Sequence, residues 1–370
     1  MNILVISPVY SLAGVPLAQL RLAKSLAKLG HKVELIYGCK KYSKIEKFKN
    51  LKITYFNKFR VIGMLLPLAR YLIIKKPDII FSAEDHLNAI VILSSIITFS
   101  NAKISVSSRV TPIDTYKNSS VLFSKGWFLK ILFPIVQWRS DVMTCVSKDM
   151  VKQYKKLFPY SKQLSVYNIV KTSDTDIKMK EKINNSWFNF KKNKIIVASG
   201  KLAKWKGFDD LINAATILNR KKINFKLIII GGGEEKKNLE KLIDKNSLKN
   251  KVLILKPVLN TLKYFYNSDI FVLSSRVEGM PNVMIEAMMC DCTIVATNCP
   301  TGPKEIIGKN KYGYLSKMNN PKDLSKNIVK AIRKKIGLKK TRHIVGKFSE
   351  EEIIKKHFSL LRVNPKYWRN

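Results

Sequence analysis

Short apolar runs ending in turn residues alternate with helix-period segments, and this alternation constrains the chain more than any other feature. NILVIS (2 to 7) is followed by LAQLRLAKSLAKLG, in which Leu17, Leu20, Leu22, Ala23, Leu26, Ala27 and Leu29 recur at helical spacing up to Gly30, and then by the strand-like HKVELIYG. This is a βαβ unit, and PDIIFSAED (77 to 85) and AKISVSSRV (102 to 110) continue the series, so the first half reads as an open parallel sheet. After a polar, Lys- and Asn-rich stretch a second series begins: KIIVASG (194 to 200), FKLIIIGGG (225 to 233), KVLILKP (251 to 257), DIFVLSS (269 to 275) and CTIVATN (292 to 298).

The fold class is therefore α/β, with two consecutive doubly wound, Rossmann-like domains: 1–170, a linker at 171–193, 194–348, and a C-terminal helix at 349–370 that opens on the capping box Ser349 to Glu352. A length of 370 residues suits two cores better than one. Ligands in such sheets sit at the carboxyl ends of strands, which makes the cleft between two facing domains the expected site.

The formal charge of +42 predicts attraction to polyanions, and nucleic acid, an anionic membrane face and phosphorylated substrates all satisfy it. Five cysteines without CxxC spacing argue against a disulfide framework or structural zinc and fit a reducing cytosol. The N-terminus runs straight into a strand, without the pattern of a signal peptide. AIVILSSIITF (89 to 99) is about half the length needed to cross a bilayer, so the chain is expected to be cytoplasmic or peripheral.

In SRVEGMPNVMIEAMMC (275 to 290), Glu278 falls in the loop after strand DIFVLSS, Pro281 suits the first turn of a helix, and Glu286 falls in its second turn. A helix N-terminus offers amides to an anion and the carboxylates accept hydrogen bonds from hydroxyls, a pairing that suits a sugar nucleotide. Lys201 and Lys206 follow the first strand of the same domain and could neutralise a diphosphate.

With G-K-L-x-x-x-K-G-F from Gly200, GGGEE at 231 to 235, E-x7-E as EGMPNVMIE and CPTGPKEII at 299 to 307, the chain resembles the retaining GT-B glycosyltransferases of family 4. The resemblance implies that Lys201 and Lys206 bind the donor diphosphate, that Glu278 contacts the donor sugar as a catalytic-site residue, that the backbone of Gly279, Met280, Asn282 and Val283 lies near sugar and phosphate, and that Glu286 holds the ribose. Gly14 matches half of the family's Gly-Gly loop, with Ala13 in the other position, and His86 is the candidate for its N-terminal-domain histidine. It further implies a UDP-sugar donor giving a hexose or N-acetylhexosamine, no metal or other cofactor, and a glycan or lipid-linked acceptor bound by the first domain. Trp127, Phe128, Leu132, Phe133 and Trp138, with Lys125, Lys130 and Arg139, read as a surface for an anionic membrane, placing the protein on the cytoplasmic face of the inner membrane. Asp174-Thr175-Asp176 lies in the polar linker and reads as solvated rather than metal-binding. Two rival readings remain, a UDP-N-acetylglucosamine 2-epimerase-like enzyme and a polyanion-binding protein, although no nucleic-acid-binding signature is present.

Overall fold

The computed structural model describes residues 1–11, 14–40, 48–188 and 193–363. The chain divides into two compact units, Met1–Val170 with Ser349–Asn370, and Lys171–Phe348. Ala13, part of the expected N-terminal loop, and the ends of the expected linker and C-terminal helix (189–192 and 364–370) lie outside the described residues.

In the first unit the strands are β1 (Asn2–Tyr10), β2 (Lys32–Lys40), β3 (Leu51–Tyr55), β4 (Ile79–Ala83), β5 (Lys103–Ser108), β6 (Val142–Cys145) and β7 (Leu164–Ser165), paired in parallel in the order β3-β2-β1-β4-β5-β6-β7. β4 is buried at every residue, as a parallel strand covered on both faces must be. The helix Gly14–Lys28 brings Leu22, Ala23, Leu26 and Ala27 onto this sheet, and the C-terminal helix Glu350–Leu360 adds Ile353, Ile354 and Phe358 to the same core. Its start is capped as the sequence indicates, Ser349 Oγ accepting the Glu352 N–H at 3.4 Å.

The second unit holds β8 (Lys194–Ser199), β9 (Phe225–Ile230), β10 (Val252–Leu255), β11 (Ile270–Leu273), β12 (Thr293–Thr297) and β13 (Tyr314–Ser316), again all parallel, in the order β10-β9-β8-β11-β12-β13. Each sheet thus reverses its winding once, between β1 and β4 and between β8 and β11, and those are the positions where an open α/β sheet leaves a crevice for ligand. Residues 171 to 348 belong to the second unit. The stretch read as a linker carries a short helix, Thr175–Met179, packed on the helix Leu262–Tyr266. Asp174 there is tied to Lys178 at 2.7 Å and accepts from Thr172 Oγ1 at 2.5 Å, so it is locally paired rather than merely solvated. The run read as too short for a membrane span is the helix Asp85–Ile97, and no helix among the described residues is long and apolar enough to cross a membrane. All five cysteines are buried thiols.

Candidate functional site

The switch point of the second sheet assembles most of the residues singled out by the sequence. β8 ends at Ser199, and after Gly200 and Lys201 the chain makes a single 3-10 turn, Lys204–Lys206, before the helix Phe208–Arg220. β11 ends at Leu273 and leads into the loop carrying Glu278. Lys206 Nζ lies 2.5 Å from Glu278 Oε1, and Ser275 Oγ donates to the same oxygen at 2.6 Å. Both side chains are largely buried, at 19% and 10% exposure, so the pair is shielded from solvent and removing either partner leaves a shielded charge unpaired. Glu278 Oε2 has no hydrogen-bond partner among the described residues. Its backbone carbonyl accepts from Thr301 Oγ1 of the CPTGP loop, which ties that motif to the same site.

The loops bearing Lys206 and Glu278 are bound together chiefly by Arg276. Its guanidinium donates to Lys204 O at 2.5 Å, to both Asp209 oxygens at 2.9 Å each, to Asp210 Oδ2 at 2.7 Å and to Asn319 Oδ1 at 2.7 Å. The Arg276 N–H donates to Trp205 O at 2.7 Å, and Ser274 Oγ to Lys206 O at 2.8 Å. The Asp209 hydrogen bonds raise the Arg276 pKa further above its usual value, keeping it charged. Gly207, at φ +60°, permits this approach, since a Cβ there would stand 2.2 Å from Ser274 O. None of Arg276, Asp209 or Asp210 was singled out from the sequence, although an Arg two residues before the motif glutamate and an Asp-Asp pair after Gly-Phe were there to be read.

Lys201 takes a different position from Lys206. It is exposed, 3.2 Å from Glu234 Oε2 of the GGGEE turn and 4.9 Å from the centre of the Trp205 ring. The glycines of that turn are required by the backbone, because a Cβ on Gly231 would stand 2.0 Å from Gly200 O. GGGEE therefore brings the end of β9 against the end of β8 and supplies a carboxylate to Lys201.

Pro281 is the residue before the helix Asn282–Met289 rather than part of its first turn. The Asn282 N–H donates back to Met280 O at 3.0 Å, so within the segment Gly279 to Val283 that amide is already used and Pro281 has none to offer. Met280 is buried, while Gly279, Asn282 and Val283 are half-buried. Glu286 is 6% exposed and accepts from Thr261 Oγ1 at 3.4 Å. Thr261 lies between β10 and the helix Leu262–Tyr266, so the second glutamate is anchored from a third strand connection.

In the first unit, Gly14 is exposed at the start of its helix, and a Cβ there would meet nothing within 4 Å. His86 sits in the first turn of the helix after β4, its Nε2 3.4 Å from Glu84 Oε2. Burial, with the Lys125 charge adding to it, pushes its pKa down to about 4, so the imidazole is neutral at physiological pH. Within the helix Lys125–Arg139, Phe133 is core and Trp127 and Leu132 are half-buried, so these do not form the exposed apolar surface read from the sequence. The exposed apolar side chains are Phe128, Ile131, Ile135 and Trp138.

Residues 179–352 match the family model described as glycosyl transferases group 1. That segment resembles a glycosyl transferases group 1 domain over 179–352. The Lys206–Glu278 pair and Glu286 lie within this matched segment, as does the Arg276 network. An uncharacterized glycosyltransferase of Methanocaldococcus jannaschii is 31% identical over 63% of this chain and 58% of its own length. The N-acetylgalactosamine-N,N'-diacetylbacillosaminyl-diphospho-undecaprenol 4-alpha-N-acetylgalactosaminyltransferase of Campylobacter jejuni is 30% identical over 54% of each chain. The chain thus spans little more than half the length of these curated relatives. Two solved structures share the fold over 98% of this chain: sucrose-phosphate synthase of Thermosynechococcus elongatus, covered over 98% (TM-score 0.76, 15% identity), and Anabaena HepE in complex with UDP and glucose, covered over 99% (TM-score 0.76, 17% identity). The fold is GT-B, built from two Rossmann-like units.

Proposed function

We propose that this protein is a retaining glycosyltransferase of family 4. It moves a hexose or N-acetylhexosamine from a nucleotide-sugar, with UDP as the nucleotide, to a lipid-linked or surface-glycan acceptor. The observation that carries the reading is the shielded Lys206–Glu278 pair at the β8/β11 switch point, inside the group 1 domain. In this reading Lys206 turns from Glu278 to the donor diphosphate and, with Lys201, stabilises the charge that develops as the nucleoside diphosphate leaves. The Glu278 carboxylate, freed from the lysine, accepts hydrogen bonds from the donor sugar. Glu286 holds the ribose and the backbone of Gly279 to Val283 faces sugar and phosphate. The two glutamates bind substrate rather than acting as a glycosidase acid/base pair. No metal takes part.

The named relatives support a role in bacterial glycan assembly, since one transfers N-acetylgalactosamine to a diphospho-undecaprenol-linked glycan and another is described as a poly(ribitol-phosphate) alpha-N-acetylglucosaminyltransferase. An acceptor of that class is held at a membrane, and the first unit offers a surface suited to one. Phe128, Ile131, Ile135 and Trp138 recur every three to four residues on the exposed side of a helix that carries Lys125, Lys130 and Arg139 and no acid. The acceptor binds to this first unit in the same reading.

A donor screen by mass spectrometry tests the proposal: UDP-, GDP- and ADP-sugars against extracted lipid-linked acceptors, with Lys206→Ala and Glu278→Ala beside wild type. Each variant is expected to lose at least about a hundredfold in kcat/KM, the usual scale for removing one charge-stabilising group. Wild-type rates in both would remove the site assignment, and loss of activity in EDTA would remove the metal-free mechanism. Partition onto anionic vesicles that does not fall as salt rises would count against the membrane surface.

A further inference from the structure

Glu84 closes β4 and begins the next helix, and its backbone is held from both sides. Its N–H donates to Ser107 O on β5 at 2.9 Å, while its carbonyl accepts the N–H groups of Leu87 and Asn88 at 2.9 Å each. Between these restraints the residue stands at φ +79°, ψ 128°, a conformation that L side chains avoid and glycine adopts freely. Such strain persists only where the surroundings enforce it, and it costs stability.

The carboxylate gives nothing back to the fold. Among the described residues its ion contact is with His86 at 3.4 Å, and that imidazole is neutral. None of them donates a conventional hydrogen bond to it. The adjacent Asp85 is the opposite case, accepting Ser108 Oγ at 2.6 Å and Tyr154 OH at 2.7 Å to anchor the helix. The Glu84 side chain keeps 22% exposure. Burial pushes its pKa up to about 7, and the charges of Lys125 and Arg109 restrain the rise while Asp85 adds to it. Ser82 and Asn88, each 2% exposed, flank it in sequence and bring an Oγ and an Oδ1 that lack partners.

A strained residue with open acceptor oxygens at the winding reversal of the first sheet is built to receive donors. A cationic ligand would meet Lys125 and Arg109, whose charges already reach this carboxylate, so the donors that fit are neutral hydroxyls. We propose that Glu84 binds the hydroxyl groups of the glycan acceptor at the β1/β4 switch point, its carboxylate oxygens accepting their hydrogen bonds. This assignment rests on the transferase reading above.

The test compares wild type with Glu84→Gln and Glu84→Gly, using a polyprenyl-diphosphate-linked N-acetylhexosamine as acceptor and UDP as the probe of donor binding. Both variants are expected to raise the acceptor KM about tenfold, the scale of one hydrogen bond to a charged group, and to leave UDP affinity unchanged. Glu84→Gly should melt at or a few degrees above wild type, because glycine relieves the backbone strain. Transfer with an unchanged acceptor KM in both variants overturns this inference alone, as does a glycine variant that melts well below wild type, which would make Glu84 a structural residue. Absence of transfer by wild type overturns the transferase reading and this inference with it.

Discussion

Replacing Arg276 with alanine should loosen the loops of the proposed donor site without touching Lys206 or Glu278. All five guanidinium N–H donors are engaged, on Lys204 O, Asp209, Asp210 and Asn319. Hydrogen bonds to charged groups contribute about 1.5–3 kcal/mol each in favourable settings, but this side chain is 26% exposed and Asp209 is 50% exposed, so solvent screening reduces the sum. Asp210, at 13% exposure, is the costly partner, because alanine leaves its carboxylate shielded and without its cation. The backbone bond from Arg276 N to Trp205 O and the Ser274 to Lys206 O bond survive the change. A net loss of about 2–3 kcal/mol follows, and for a unit of this size each kcal/mol shifts the melting midpoint by about 2–4 °C. Arg276→Ala is therefore expected to lower the transition of the second unit by about 5–10 °C in calorimetry, to speed amide exchange at 204–207, and to weaken UDP binding. Arg276→Lys, with three donors and no planar fork, should recover only part of each effect. A melting midpoint within about 1 °C of wild type together with unchanged exchange in that turn would refute the idea that Arg276 holds these loops in register.

Three further outcomes follow from the same geometry. Gly207→Ala should lose about 1–2 kcal/mol for the left-handed backbone alone, and more from the contact with Ser274 O, with UDP affinity falling alongside the melting temperature; a wild-type melt would show that the turn has another way to close. Lys201→Ala should change the melting temperature by less than about 0.5 kcal/mol equivalent, since its bridge to Glu234 is exposed, yet weaken UDP binding in a salt-dependent way, which titrations at two ionic strengths will read. The pKa of His357 is pushed down to about 3 in the folded state by burial, Arg109 and Lys356 adding to it, so the unfolded chain takes up a proton from pH 6.5 downward while the folded one resists. The stability present above pH 6.5 is therefore lost progressively toward pH 3, by up to about 5 kcal/mol, and His357→Phe, which keeps a ring against Phe81, should flatten that acid limb in calorimetry at stepped pH.

The doubly wound architecture was legible because parallel strands covered on both faces read as unbroken apolar runs, and Ile79–Ala83 or Phe225–Ile230 can be little else. Four strands went unread for the converse reason: β3 has no buried residue, β7 and β13 have only two and three residues, and the short apolar run of β6 is broken by Thr144. The residues of the proposed donor site could be singled out because their spacing is local, a turn and a helix start within a dozen positions. What holds them in place did not, since Arg276 reaches Asp209 across 67 positions and only the pairing of β8 with β11 makes those neighbours. Glu84 shows the same limit more sharply. It lies two positions before His86, and in the sequence the histidine draws the eye as the titratable group. The fold keeps that imidazole neutral and gives Glu84 the strained backbone and the carboxylate with open oxygens, a difference set by what packs around two residues only two positions apart and written in neither.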